Sequence, residues 1–304
     1  MTEHPPSGRP TLGVVVVAYR STRTLGALLA SVPSDADVVV VDNAAEPAVA
    51  AICARFGVQY VDPGANLGFA AAVNLGARRA TTELLLVVNP DVDLTLDPRQ
   101  LAPLLDDPAV LVATGALAGE TGVVTSGNIH PRVTPRRELA RGLVGWRAYA
   151  SPPEKGDRFV QADGAWLLVN RASWERLGGL DERYELYFED VALAHRVHAL
   201  GGRIAVSPEV VGRHVGGVSA AASGGLSHLL LGVSRVRFYH LSGITRLPRA
   251  LGVTTSLLEF VSRSITLRPE GFRLRARALR LQLREAWNPG SVWLLGPARD
   301  MTPR

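Results

Sequence analysis

The chain has 304 residues, 47% hydrophobic and 20% charged, an ordinary globular composition that excludes a fibrous or disordered polypeptide. Its one cysteine, Cys53, excludes an intrachain disulfide and a thiolate metal cluster; the apolar helical context suits a core thiol. The net charge of +5 is carried almost wholly by arginine, Lys155 being the only lysine, which fits a GC-rich genome or anionic partners bound bidentately.

Residues 1–9 lack an apolar core, so they read as a disordered N-terminus and not as a secretory signal. Leu12 to Ala18 is a β-branched run suited to burial on both faces of a parallel sheet. Ser21 or Thr22 can cap a helix reaching about Ser31. Val38 to Val41 is a second strand ending in Asp42-Asn43, a helix runs through Phe56, and Val58 to Val61 is a short strand. The turn Gly64 to Gly68 leads into a helix from about Phe69 to Ala80, and strand Leu84 to Val88 delivers Asn89-Pro90-Asp91. Alternation of this kind predicts an α/β fold, a doubly wound and mostly parallel sheet with helices on both faces.

From Ala118 to Asp163 the pattern loosens, with Pro131, Pro135, Pro152 and Pro153 interrupting it, and reads as long loops suited to substrate contacts. Order resumes at Ala165 to Val169, then a helix near Ala172 to Leu177, a helix from Glu189-Asp190 to Gly201-Gly202, and strand Arg203 to Val206. Val215 to Ser234 carries no formal charge, but Gly217, Gly224 and Gly225 make it a poor membrane span. A cytoplasmic protein is expected, with attachment to the inner membrane face left open. Beyond residue 224 the chain reads as helical and arginine-rich. On Phe272 to Trp287, one apolar face holds Phe272, Ala276, Leu279 and Leu283, and a second holds Leu274, Ala278 and Leu281. Arg273, Arg277, Arg280 and Arg284 form the stripe beside them.

The chemistry concentrates at strand ends, where open α/β sheets bind ligands. Asp91 and Asp93 follow a buried-type strand, and hard oxygen donors there suit a divalent cation carrying a diphosphate. An Asn-Pro-Asp turn is the plain alternative. Asp42 and Asn43 could read a base or ribose, or cap the next helix. Asn66-Leu67-Gly68-Phe69 opens a helix and so offers backbone N–H groups to an anion; Asn74 and Arg78 share one side of that helix. Glu189-Asp190 at a helix start is a candidate general base kept ionised by the helix dipole, or simple dipole compensation. His214 would make a sensible further metal ligand near Asp91, although a lone histidine is usually structural. A glycine fingerprint after the first strand and a P-loop are both absent, which weakens dehydrogenase and NTPase readings.

Taken in order, these pieces resemble the family-two inverting glycosyltransferases with a GT-A fold, the rhamnosyltransferase-like members above all. The matching stretches are Val15 to Tyr19, Val40 to Ala44, Asn66 to Asn74, Val88 to Asp91, Gly178 to Tyr184, Tyr187 to Val191, and His214 to Ser219. The resemblance implies a catalytic domain over residues 10–223, with a nucleotide-binding half (10–95) and an acceptor-side half (96–223), and a helical extension over 224–304. It implies donor contacts from Ala18, Tyr19, Asp42, Asn43, Asn66, Gly68, Phe69, Asn74 and Asn89. It puts Asp91 on Mg²⁺ or Mn²⁺, has His214 reach the metal or the diphosphate, and makes Asp190, beside Glu189, the catalytic base; Asp93 would assist Asp91 at the metal or merely cap the next turn. The donor would be a dTDP- or UDP-sugar such as dTDP-rhamnose, and the acceptor a glycan or lipid-linked saccharide of the cell envelope. No nucleic-acid partner is expected, and a homodimer is left open. Two departures stand out: Asn89 replaces an acid, and Ala192 stands where relatives often carry a second Asp. A nucleotidyltransferase would need a lysine-containing activation loop that this chain lacks, and a non-catalytic sugar-nucleotide-binding protein would show no transfer.

Overall fold

A computed structural model describes residues 9–119, 124–125, 128–144, 159–214, 225–264 and 269–295. The readings for residues 1–8, for Lys155, for the turns at Pro152 and Pro153, and for the run 215–224 after His214 lie outside the described residues.

The N-terminal half follows the apolar runs. Strands β1 (Leu12–Ala18), β2 (Asp37–Asp42), β3 (Gln59–Val61) and β4 (Leu84–Val88) pair in parallel in the order β3-β2-β1-β4. Helices α1 (Leu25–Ser31), α2 (Pro47–Phe56) and α3 (Phe69–Arg79) connect them. The unbroken valines of β1 make sense because both faces are covered. Val14 and Val16 pack with Leu25, Leu28 and Cys53 on one side, while Val15 and Val17 pack with Ala70, Val73 and Ala77 on the other. Each buried valine or leucine among them contributes about 1.5–3 kcal/mol. Cys53 is wholly buried, and burial, with Asp42 adding to it, pushes its thiol up to about 11.

The second half adds β5 (Val92–Leu94), a 3-10 helix (Pro98–Asp106), β6 (Val110–Ala118), β7 (Val124–Thr125), β8 (Ile129–Pro131) and α4 (Pro135–Val144). It continues with β9 (Val160–Ala162), β10 (Trp166–Asn170), α5 (Arg171–Leu177), α6 (Glu189–Ala199) and β11 (Arg203–His214). The main sheet runs β3-β2-β1-β4-β10-β6-β11-β5, with β7 beside β6. Strand directions are mostly parallel, β10, β5 and β7 being the reversed ones. The expectation of loops throughout 118–163 needs correction, because β8, α4 and β9 lie there. Pro135 does not break structure: it is the first residue of α4, where a missing N–H costs nothing.

Three helices complete the fold: α7 (Leu226–Leu241), α8 (Pro248–Ser264) and α9 (Pro269–Trp287). No helix among the described residues is long and apolar enough to cross a membrane. Of the two apolar faces read on α9, Ala278 is buried and Leu274, Ala276, Leu279, Leu281 and Leu283 are half-buried. The side it buries most deeply carries Ala278, Gln282, Glu285 and Ala286, while Phe272 stays 47% exposed. Glu285 is there to meet a buried cation: Arg237 of α7 donates from Nε to Glu285 Oε1 at 2.7 Å. The arginine stripe of residues 273, 277, 280 and 284 is exposed as expected.

Candidate active site

Asp190 reaches its place through strained backbone. Tyr187 and Phe188 have φ of +66° and +70°, a conformation that costs non-glycine residues about 1–3 kcal/mol each and concentrates at functional sites. They turn the chain so that α6 starts at the mouth of a cleft. Asp190 Oδ1 accepts from Val191 N at 2.7 Å, and Oδ2 from Gly164 N at 3.2 Å. Burial, reinforced by Asp163, pushes its carboxyl up to about 6, against the pull of those two amides and of His130. Desolvation thus outweighs the favourable position at the helix start, yet a value of about 6 still leaves the carboxylate mostly ionised at neutral pH. Glu189 is only 4% exposed, and burial together with Asp190 holds its carboxyl well above the usual range. That favours the protonated form, so Glu189 is a poor proton acceptor and Asp190 the better base.

The end of β4 supplies the other side. Val92 N donates to Asn89 O at 3.2 Å, closing the Asn-Pro-Asp turn, and Asn89 N donates to Ala165 O at 3.0 Å. Asp91 is 8% exposed, and its Oδ1 lies 3.3 Å from Nε2 of His214, the last residue of β11. Donating a hydrogen bond to Asp91 raises the His214 imidazole above its ordinary value. Sheet pairing brings the two together, since His214 stands opposite Val92. Asp93 does not join them. It sits opposite Arg213 between the buried Val92 and Leu94, so the strand alternation turns it to the other face. Among the described residues no three His, Asp or Glu side chains gather as a ready-made metal cage. Asp91 and His214 offer one hard oxygen and one imidazole nitrogen.

One cleft of about 570 Å³ unites these pieces, with Phe69, Asn89, Gly164, Glu189, Asp190 and His214 among its lining. It also holds an ion pair that sequence reasoning missed, His130 Nε2 to Asp163 Oδ1 at 3.0 Å. The available signal was Asp163-Gly164 immediately before an apolar strand, the same acid-at-a-strand-end pattern as Asp91.

Several residues expected to contact the donor carry framework hydrogen bonds. Asp42 is fully buried: its oxygens accept from Ala44 N at 3.0 Å, Glu46 N at 2.7 Å and Tyr60 Oη at 3.3 Å, closing the turn into α2. Asn43 clamps the next turn, donating to Gly68 O at 3.0 Å and accepting from Leu67 N at 3.2 Å. At the start of α3, Gly68 N donates to Asn66 Oδ1 at 3.0 Å and Phe69 N to Glu185 O at 2.8 Å. Asn74 donates to Leu180 O at 2.8 Å and accepts from Leu180 N at 2.9 Å, beside a separate hollow of about 600 Å³. Ala18 is buried at the end of β1 and takes Asn43 N on its carbonyl, while Tyr19 follows half-buried with Arg20 over its ring.

A parallel nucleotide-binding-type half joined to an acid-lined cleft through a reversed strand defines a GT-A-like α/β protein. Residues 13–144 match the Glycosyl transferase family 2 profile. The N-acetylglucosaminyl-diphospho-decaprenol L-rhamnosyltransferase of Mycobacterium tuberculosis is 30% identical over 223 residues, 62% of this chain and 71% of that protein. The low-salt glycan biosynthesis hexosyltransferase Agl10 of Haloferax volcanii is 24% identical over 190 residues, a match spanning 61% of each chain and so less than two thirds of Agl10. The mannosyltransferase PcManGT of Pyrobaculum calidifontis, solved with GDP-Man and Mn²⁺, has the same fold at a TM-score of 0.55 and 16% identity, covering 93% of this chain and 88% of that one. S. aureus TarS superimposes at 0.52 and 15% identity, covering 91% of this chain and 47% of that one. The chain belongs to glycosyl transferase family 2.

Proposed function

We propose that the protein transfers a sugar from a nucleoside diphosphate sugar to an acceptor hydroxyl, with inversion at the anomeric carbon. The observation that carries this reading is the shared cleft: Asp190, Asn89 and His214 line one space, with Asp91 bound to His214. The acceptor hydroxyl gives its proton to the Asp190 carboxylate while its oxygen forms a bond to the anomeric carbon. The bond from that carbon to the diphosphate breaks, and the electron pair leaves with the diphosphate. Asp91 and His214 would hold a Mg²⁺ or Mn²⁺, with diphosphate oxygens and water completing its shell. When bound, the cation neutralises charge on the departing diphosphate.

The rhamnosyltransferase relative supports dTDP-rhamnose or a related dTDP- or UDP-sugar as donor, and a lipid-linked or envelope saccharide as acceptor. Residues 10–223 form the proposed catalytic unit and 224–304 a helical extension. The exposed arginines 273, 277, 280 and 284 would rest on an anionic inner membrane face, each contributing about 1 kcal/mol there.

Two variants test the reading. Asp190→Asn should lower kcat by about 10²–10⁴ while the thermal shift given by nucleotide sugar with Mn²⁺ persists. Loss of that shift with turnover preserved would remove Asp190 from its role. Asp91→Ala should abolish the Mn²⁺-dependent part of the shift, and activity unaffected by EDTA would refute the metal assignment.

A further inference from the structure

The cleft extends past Asp190 to a wall built from α4, α7 and α8. Four buried charges form this wall: Glu138 and Arg141 on α4, Arg235 on α7, and Glu259 on α8, each between 1% and 6% exposed. Arg141 Nε meets Glu138 Oε2 and its Nη1 meets Glu259 Oε2, both at 3.2 Å, and Arg235 Nη2 meets Glu259 Oε2 at 2.5 Å. Tyr239 Oη donates to Glu138 as well. Two carboxylates against two guanidiniums leave the wall with no net charge.

The network is nevertheless unfinished. Arg141 Nη2 and Arg235 Nε are buried without a hydrogen-bond partner, the latter 3.8 Å from Glu138 Oε2. Two further polar atoms on the same cleft share that condition, the acceptor Oε1 of Gln161 and Oε2 of the Glu189 carboxyl. All four residues are more than nine-tenths buried. Native proteins rarely leave such groups unmet, so four around one cleft call for an occupant.

We infer that this end of the cleft is the acceptor subsite and that it takes a neutral, hydroxyl-bearing sugar ring instead of a phosphate. A hydroxyl both donates and accepts, so a ring edge can satisfy donors and acceptors together. A phosphate can only accept, and it would meet Glu138 and Glu259 without any surplus of positive charge. Val133, Leu186 and Leu231 on the same lining offer apolar surface to the C–H face of a ring. The inference rests on the proposed transfer reaction and adds to it the chemistry of the acceptor and the residues that select it.

Calorimetric titration with octyl glycosides of hexoses and N-acetylhexosamines, against octyl phosphate, tests it on the full chain. At least one glycoside should bind the wild type better than octyl phosphate does. The charge-balanced double variant Arg141→Gln with Glu259→Gln should weaken that binding by about tenfold or more, and should keep the thermal shift with dTDP or UDP plus Mn²⁺. Leu231→Trp, which fills the same space without touching the ion network, should do likewise and covers the case in which the double variant does not fold. Unchanged glycoside affinity in a folded variant, preference for octyl phosphate, or no glycoside binding to the wild type overturns the inference. A wild type that binds glycoside but responds to no nucleotide sugar would instead sink the transfer reaction.

Discussion

Asp190 illustrates how a residue acquires a role from its surroundings. An exposed aspartate would be ionised far below neutral pH and would be a weak base. Burial, with Asp163 nearby, pushes this one up to about 6. A group with a raised value releases its proton only as pH climbs through that value. The base form is therefore present above about pH 6 and lost below it. The profile of kcat/KM should accordingly show an acidic limb centred near pH 6, read by initial rates across pH 4.5–8 with donor saturating in the assay. Asp163→Asn removes one of the two causes and should move the limb to lower pH. A limb that stays in place in that variant would show that Asp163 does not tune the base. Other residues expected to contact the donor take framework partners. Asp42 accepts from the amides of its own following turn, while Asn43 and Asn74 bond to backbone groups distant in sequence. Sequence cannot distinguish these fates, because both use the same oxygens and amides at the same strand ends.

Among the elements, what could be read was what local pattern determines. The valine runs of β1 and β2 and the leucine run of β4 announce strands covered on both faces, and the motif residues at their ends fall at the rim of the sheet. Helix α4 and strand β8 were not readable, because Pro135 and Pro131 resemble loop punctuation until one sees which position each occupies, and β9 is only three residues long. The alliance of Asp91 with His214 needed β5 and β11 to be paired, a long-range fact. The face that Asp93 takes is legible only from the same pairing. The turn before α3 is the tightest of these junctions. Gly68 has φ +78°, and a Cβ there would lie 2.2 Å from Glu185 O. Gly68→Ala should cost about 1–3 kcal/mol from the backbone alone. It should also push away the 185–190 segment that carries the base. Urea unfolding should report the first effect and a fall in kcat the second; a variant with wild-type values of both would show that the segment is not held by this contact.

At the scale of the whole molecule, the helices after residue 224 are part of the working cleft and not merely an appendage. Helices α7 and α8 provide Arg235 and Glu259 to its wall, and α9 is bolted to α7 by the buried Arg237–Glu285 pair. Arg237 also donates to Val292 O and lies under the Trp293 ring, so it ties the chain beyond α9 to the same framework. Glu185 carries this furthest. Its carbonyl holds the first amide of α3, and its carboxylate takes Leu294 N at 2.9 Å and Leu295 N at 2.5 Å. One residue, five positions before the base, thus grips both the early helix and the late tail. Any tightening of that corner when a nucleotide sugar settles must then be felt some hundred residues downstream. Hydrogen–deuterium exchange at the amides of Leu294 and Leu295 should slow on donor addition, turning the far end of the chain into a remote gauge of occupancy; exchange indifferent to donor would mean the two grips work independently.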